Sequence, residues 1–181
     1  MKANLISKDF AVWEIEEFDL PEVSFEDGEV YEQGANDPRL RNTVHIPDAD
    51  ESNSFYSVWN KHTDLLEKQI KKDSINNLTV WQMWINEVEN FKWGDSGTVR
   101  ILSDSPGFNM QYHVDNRLIF GVLLINLIDN TDSTVFENGY VAPSKKGTGI
   151  FMMNNNDYHK IDVTSDRLIG YQTLAVNKCL V

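Results

Sequence analysis

The residues with the clearest chemical potential are His113 and Asp115, in the run Asn109-Met110-Gln111-Tyr112-His113-Val114-Asp115-Asn116, with the distant His159 and Arg167. Successive side chains on a β-strand alternate faces, so on a strand His113 and Asp115 point the same way. A second imidazole from elsewhere completes a set of two nitrogens and one carboxylate. Such a set, with open positions opposite, can hold Fe(II) for chemistry with O2. A His-x-Asp pair alone is a weak signal, because 28 acidic residues make the spacing common. His62-Thr63-Asp64 repeats it on an expected helix, where two residues turn about 200° around the axis. Those side chains diverge, and His62 reads as a packed helix residue.

The elements that must position these groups are mostly short strands. Alternating or apolar runs cover Leu78 to Val88, Thr98 to Leu102 and the His113 stretch, then a strongly apolar central strand from Arg117 to Ile128. Further strands follow at Thr134 to Phe136, Thr148 to Met153, Tyr158 to Val163 and Arg167 to Val176. Gly, Pro, Asn and Asp clusters separate them, and one such turn, Asn154 to Asp157, delivers His159 to the start of its strand. Short strands at this spacing imply a mainly β sandwich or barrel.

Ahead of them, Phe10 to Phe18 reads as a strand that Pro21 ends. Residues Glu26 to Asn53 are polar and aperiodic and include Tyr31, Arg39, Arg41 and His45. They read as an irregular loop, a candidate lid or substrate loop. Ser54 is an N-cap for an amphipathic helix whose stripe is Phe55, Val58, Trp59, His62, Leu65, Leu66 and Ile70. It is expected to end near Lys71-Lys72 and to back a sheet. Trp81 and Trp84 read as core residues.

The bulk properties set bounds. With 181 residues, 41 % of them apolar, the chain suits one domain with a real core. A formal charge of −12 disfavours nucleic-acid partners. The single cysteine, Cys179, excludes an intramolecular disulfide and fits a reducing compartment. No signal-peptide pattern opens the sequence, and no run reaches the ~20 apolar residues that span a bilayer, so a cytoplasmic protein is expected.

From Arg100 to Val176 the sequence resembles the Fe(II)/2-oxoglutarate-dependent dioxygenase superfamily, in its prolyl-hydroxylase-like branch. The matching pieces are His113-Val114-Asp115-Asn116, Leu123 to Leu127, Thr134-Val135-Phe136, Pro143, Lys146 to Phe151, Asn154-Asn155, His159, and Arg167 eight residues later. The first hundred residues carry no such match. The resemblance implies a double-stranded β-helix, or jelly-roll, of cupin-like type over 78–181, with one or two supporting helices in 1–77. It assigns His113, Asp115 and His159 to iron and Arg167 to the distal carboxylate of 2-oxoglutarate, a pairing that a planar, permanently charged guanidinium suits. The implied reaction hydroxylates an unactivated C–H bond, giving succinate and CO2, with ascorbate as a candidate reductant. The metal-binding carboxylate Asp115 argues against halogenation.

Two departures shape the expected cosubstrate site. The superfamily often places Ser or Thr two residues after the arginine, where this sequence has Ile169. A second anchor is then expected from Asn126 or Tyr171. A tyrosine often found three residues before the first histidine is replaced by Met110. Strict alternation puts Gln111 and Asn109 on the face of His113, which makes Gln111 a further cosubstrate contact. The spacing favours a peptidyl or free amino-acid side chain as substrate, with any lid drawn from the N-terminal half. The rival readings are a cupin-like metal dioxygenase without 2-oxoglutarate and a catalytically silent jelly-roll binding module.

Overall fold

The apolar run after Arg117 forms β7 (Ile119–Asn126), and the sheet grows outward from it. The computed structural model describes residues 1–7, 9–22, 29–31, 40–46, 54–75, 99–115, 119–153 and 158–175. The strands are β1 (Lys2–Ser7), β2 (Phe10–Glu16), β3 (Glu29–Tyr31), β4 (Arg41–Ile46), β5 (Val99–Asp104) and β6 (Asn109–His113). After β7 come β8 (Val135–Phe136), β9 (Gly149–Met153), β10 (His159–Asp162) and β11 (Arg167–Ala175). The one helix among the described residues is α1 (Ser54–Ile75).

Eight strands form a large sheet in the order β1-β2-β9-β7-β11-β5-β4-β3, and β6-β10-β8 form a small one. Every strand pairing among the described residues is antiparallel. This mainly β, two-sheet architecture is the expected jelly-roll, with one supporting helix described.

Alternation sorts the large sheet into two cores. Trp13, Ile15, Ile101, Leu123, Ile125, Phe151 and Met153 pack on one face with Phe55, Trp59, Leu66 and Ile70 of α1. Phe10, Val12, Val122, Ile150 and Met152 face the other way, against Phe136 of the small sheet. Both faces of β2, β7 and β9 are therefore buried, which explains their nearly continuous apolar sequences. The indole nitrogens tie the helix down as well. Trp59 Nε1 donates to Gln172 Oε1 at 2.7 Å and Trp13 Nε1 to Asp73 Oδ2 at 2.9 Å. Gly170 leaves room for Trp59, since a Cβ there would lie 2.6 Å from the indole.

Two expectations need correction, and one strand is unanticipated. The stretch from Glu26 to Asn53 is not wholly irregular, because β3 and β4 within it add two strands beside β5. Its hydrophobic signal is short and broken by polar residues: β3 is the edge strand, and β4 between β3 and β5 is only six residues long. β1 is another edge strand, half exposed, and its Lys2-Ala3-Asn4-Leu5 start has no clear pattern. Leu65 is exposed at 46 %, while Thr63 and Ser74 lie on the buried stripe of α1. The strand expected from Leu78 to Val88, with Trp81 and Trp84, lies outside the described residues.

Candidate active site

The small sheet brings the two histidines together. His113 closes β6 and His159 opens β10, and the two are paired directly across the strands. Their rings lie 4.4 Å apart, centroid to centroid. Asp115 follows two residues after β6, with its Oδ2 3.9 Å from His159 Nε2. One ligand atom from each of His113, Asp115 and His159 lies within 4.8 Å of the others. Ligands held about 2.1 Å from a common ion sit roughly 3–4 Å apart, so small side-chain rotations would seat one metal here.

Second partners orient this group. His113 Nδ1 donates to the Gln111 carbonyl at 2.9 Å, because a carbonyl can only accept. The ring's Nε2 lone pair is thereby left for a metal, the usual arrangement for a ligating histidine. His159 is buried, at 7 % exposure, with its ring 5.6 Å from that of Phe136.

Across the pocket the large sheet supplies opposite charge. Arg167 of β11 is buried, and its Nη1 donates to Asp104 Oδ2 at 3.0 Å. Its Nε is a buried donor without a partner among the described residues. Burial pulls the guanidinium's affinity for its proton down, while the neighbouring Asp104 offsets this. Arg41, opening β4, grips the same carboxylate with two bonds, Nε to Oδ1 at 2.5 Å and Nη2 to Oδ2 at 2.8 Å. Arg41, Met110, His113, Asp115, Thr134, His159, Arg167 and Tyr171 line one pocket between the sheets. Burial, then the charge of Asp115, pushes the Tyr171 phenol up to about 12. Its hydroxyl thus stays protonated at neutral pH and able to donate.

Not every expected residue reaches this pocket. Asn126 donates from Nδ2 to the carbonyls of Pro143 (2.8 Å) and Thr148 (2.9 Å), and its Oδ1 accepts from Asn130 Nδ2 at 2.7 Å. It stitches the end of β7 to the 143–148 loop and does not line the triad's pocket. Gln111 is exposed, and its side chain donates to Asn109 Oδ1 at 3.4 Å. A bulge explains this. His113 pairs with His159, but Met110 pairs with Ile161, so three residues on β6 span two on β10. The extra residue reverses the alternation and puts Met110, not Gln111, on the side of His113.

Asp104, Arg41, Met110 and Thr134 are pocket or near-pocket residues that the sequence did not single out for a role. A larger cavity of about 540 Å³, lined by Phe18, Leu20, Leu127, Lys146 and Leu168 among others, lies apart from the triad. No group of three metal-ligating side chains lies in it among the described residues. The decoy His62 stacks on Phe18 with ring centroids 4.5 Å apart, and its Nε2 bonds the Asp19 carbonyl at 3.1 Å.

No protein-family model matches the sequence, and no curated protein matches it. Solved structures do. A viral collagen prolyl hydroxylase from Paramecium bursaria Chlorella virus-1, solved as a 2OG complex, superposes with a TM-score of 0.55 at 14 % identity, over 93 % of this chain and 97 % of that one. A Trichoplax adhaerens prolyl hydroxylase, bound to a peptide fragment of a hypoxia-inducible factor, gives 0.60 at 11 % identity, over 91 % and 84 %. A Pseudomonas putida prolyl-4-hydroxylase gives 0.57 at 9 % identity, over 93 % and 94 %. At these identities the likeness is one of architecture: the chain has the jelly-roll fold of the prolyl hydroxylases.

Proposed function

We propose that the protein is an Fe(II)/2-oxoglutarate-dependent hydroxylase, with His113, Asp115 and His159 as iron ligands and Arg167 as the anchor for the cosubstrate's distal carboxylate. The observation that carries this reading is the meeting of the three ligand atoms opposite a buried guanidinium with an unsatisfied donor. The donor set fits the metal: two neutral imidazoles and one carboxylate on one face leave positions open on the other. Bound there, Fe(II) with 2-oxoglutarate and O2 supplies oxidative decarboxylation to succinate and CO2 and insertion of one oxygen atom into a C–H bond.

The chain's own residues bind and orient. The Gln111 carbonyl fixes which nitrogen of His113 faces the ion. Arg167 receives an anion on the opposite sheet, so a keto acid spans the gap with its ends fixed. Tyr171, a protonated donor that lines the same pocket, gives that anion its second hydrogen bond in this reading. Phe136, Val122 and Met152 line the inner core beside the site and exclude water. The substrate class is a peptidyl or free amino-acid side chain, in keeping with the peptide bound by the Trichoplax neighbour.

Anaerobic addition of Fe(II) and 2-oxoglutarate is expected to give a visible charge-transfer band, and His159→Ala to abolish it. A band that survives His159→Ala overturns the ligand assignment. With O2 and without substrate, slow succinate release is expected. The ion pair from Asp104 to Arg167 favours one second reading, since it gives the arginine a purely structural partner. A metal dioxygenase independent of 2-oxoglutarate would then bind metal and show no keto-acid band.

A further inference from the structure

Arg41, Asp104 and Arg167 stand in one row of the large sheet, directly paired across β4, β5 and β11. The side chain of Asp104 is fully buried, that of Arg167 is 6 % exposed and that of Arg41 14 %. Two guanidiniums and one carboxylate leave the row itself with one spare positive charge, which the more distant Asp132, spent on the backbone and hydroxyl of Thr164, offsets only in part. Buried charge without a counter-ion is costly, so the row is built to receive an anion.

The bonding is unequal. Arg41 takes both oxygens of Asp104 through its Nε and Nη2, whereas Arg167 gives it a single Nη1 contact. Arg41 is itself held, with its guanidinium 4.0 Å from the Phe108 ring centre and its Nη1 3.6 Å from Met110 Sδ. Without Arg41, Asp104 would neutralise Arg167. An incoming carboxylate would then meet a pair with no net charge and a buried anion beside it.

We propose that Arg41 is a specificity-determining residue of the keto-acid site: by neutralising Asp104 it leaves Arg167 a spare charge and an open Nε donor for the second carboxylate of a dicarboxylic keto acid. The inference rests on the cosubstrate reading above, and its test separates the two.

The test is calorimetric titration of the Mn(II)-loaded protein with 2-oxoglutarate and with 2-oxopentanoate, which has the same chain length and no distal carboxylate. Wild type is expected to prefer 2-oxoglutarate. Arg41→Met is expected to weaken 2-oxoglutarate by about 30-fold or more and leave 2-oxopentanoate unchanged, the scale of one partly buried charge. Adding Asp104→Asn to Arg41→Met restores the spare charge and is expected to recover 2-oxoglutarate binding to within about three-fold of wild type. A merely structural role predicts the double variant to be worse than the single, and that result overturns the proposal. So does an Arg41→Met protein that binds 2-oxoglutarate as wild type does. If Arg41→Met does not fold, the double variant decides alone, by binding or failing to bind 2-oxoglutarate. Wild type that binds neither acid overturns the cosubstrate reading itself.

Discussion

At the scale of single residues, Asn126 and Arg167 show how a polar side chain's remaining valences decide its role. Asn126 spends both its N–H donors on backbone carbonyls, and none remains for the carboxylate of a ligand. Asn126→Ala is expected to cost about 1–3 kcal/mol of stability, seen as a lower denaturation midpoint, with keto-acid affinity unchanged. Arg167 keeps a buried Nε unsatisfied. Arg167→Leu is expected to remove 2-oxoglutarate binding in the same titration while metal binding persists. Spacing made His113 and Asp115 a candidate pair, and the resemblance of the stretch from Arg100 to Val176 to a known superfamily is what singled out His159 and Arg167 with them. Asp104 was marked by neither, because its meaning comes from strand register with residues 63 positions away on either side.

At the scale of elements, the bulge between β6 and β10 decides which side chains of β6 see the pocket. Alternation read from sequence assumes an unbroken ladder, and one added residue inverts it. Gln111→Ala is therefore expected to leave keto-acid affinity within about two-fold of wild type, while Met110→Ala weakens it through Arg41, a contrast read by the same calorimetry. Close strand packing sets a second limit. A Cβ on Gly149 would lie 2.0 Å from the Leu124 carbonyl oxygen, a backbone atom that cannot rotate away. Gly149→Ala is expected to destabilise by about 3 kcal/mol in denaturant titration. Most strands and the helix were legible because their apolar faces are wide. The edge strands β1 and β3 were not, because edges tolerate polar sequences, and β4 beside β3 is short with alternate polar residues.

At the scale of the whole molecule, α1 lies across the large sheet, and His62 sits where the two meet the chain near Phe18. Partial burial lowers the affinity of His62 for a proton, and its bond to the Asp19 carbonyl only partly offsets this. The unfolded imidazole therefore binds a proton first as the pH falls through its ordinary value of about 6.5. Stability from this source is present above that value and is lost below it. Chemical denaturation is expected to show a falling midpoint from pH 7 to pH 5, and His62→Gln to flatten that slope. A slope unchanged in His62→Gln would assign the acid sensitivity elsewhere.

The row of Arg41, Asp104 and Arg167 has a consequence for assembly. No tight turn joins β4, β5 and β11 to one another, so local geometry does not dictate how they align. A shift of β4 by one residue would throw its arginine to the opposite side and take from the buried aspartate the guanidinium that bonds both its oxygens. Wrong alignments are thus penalised by electrostatics as well as by misplaced apolar groups, so three buried charges help to fix the register of three strands far apart in sequence.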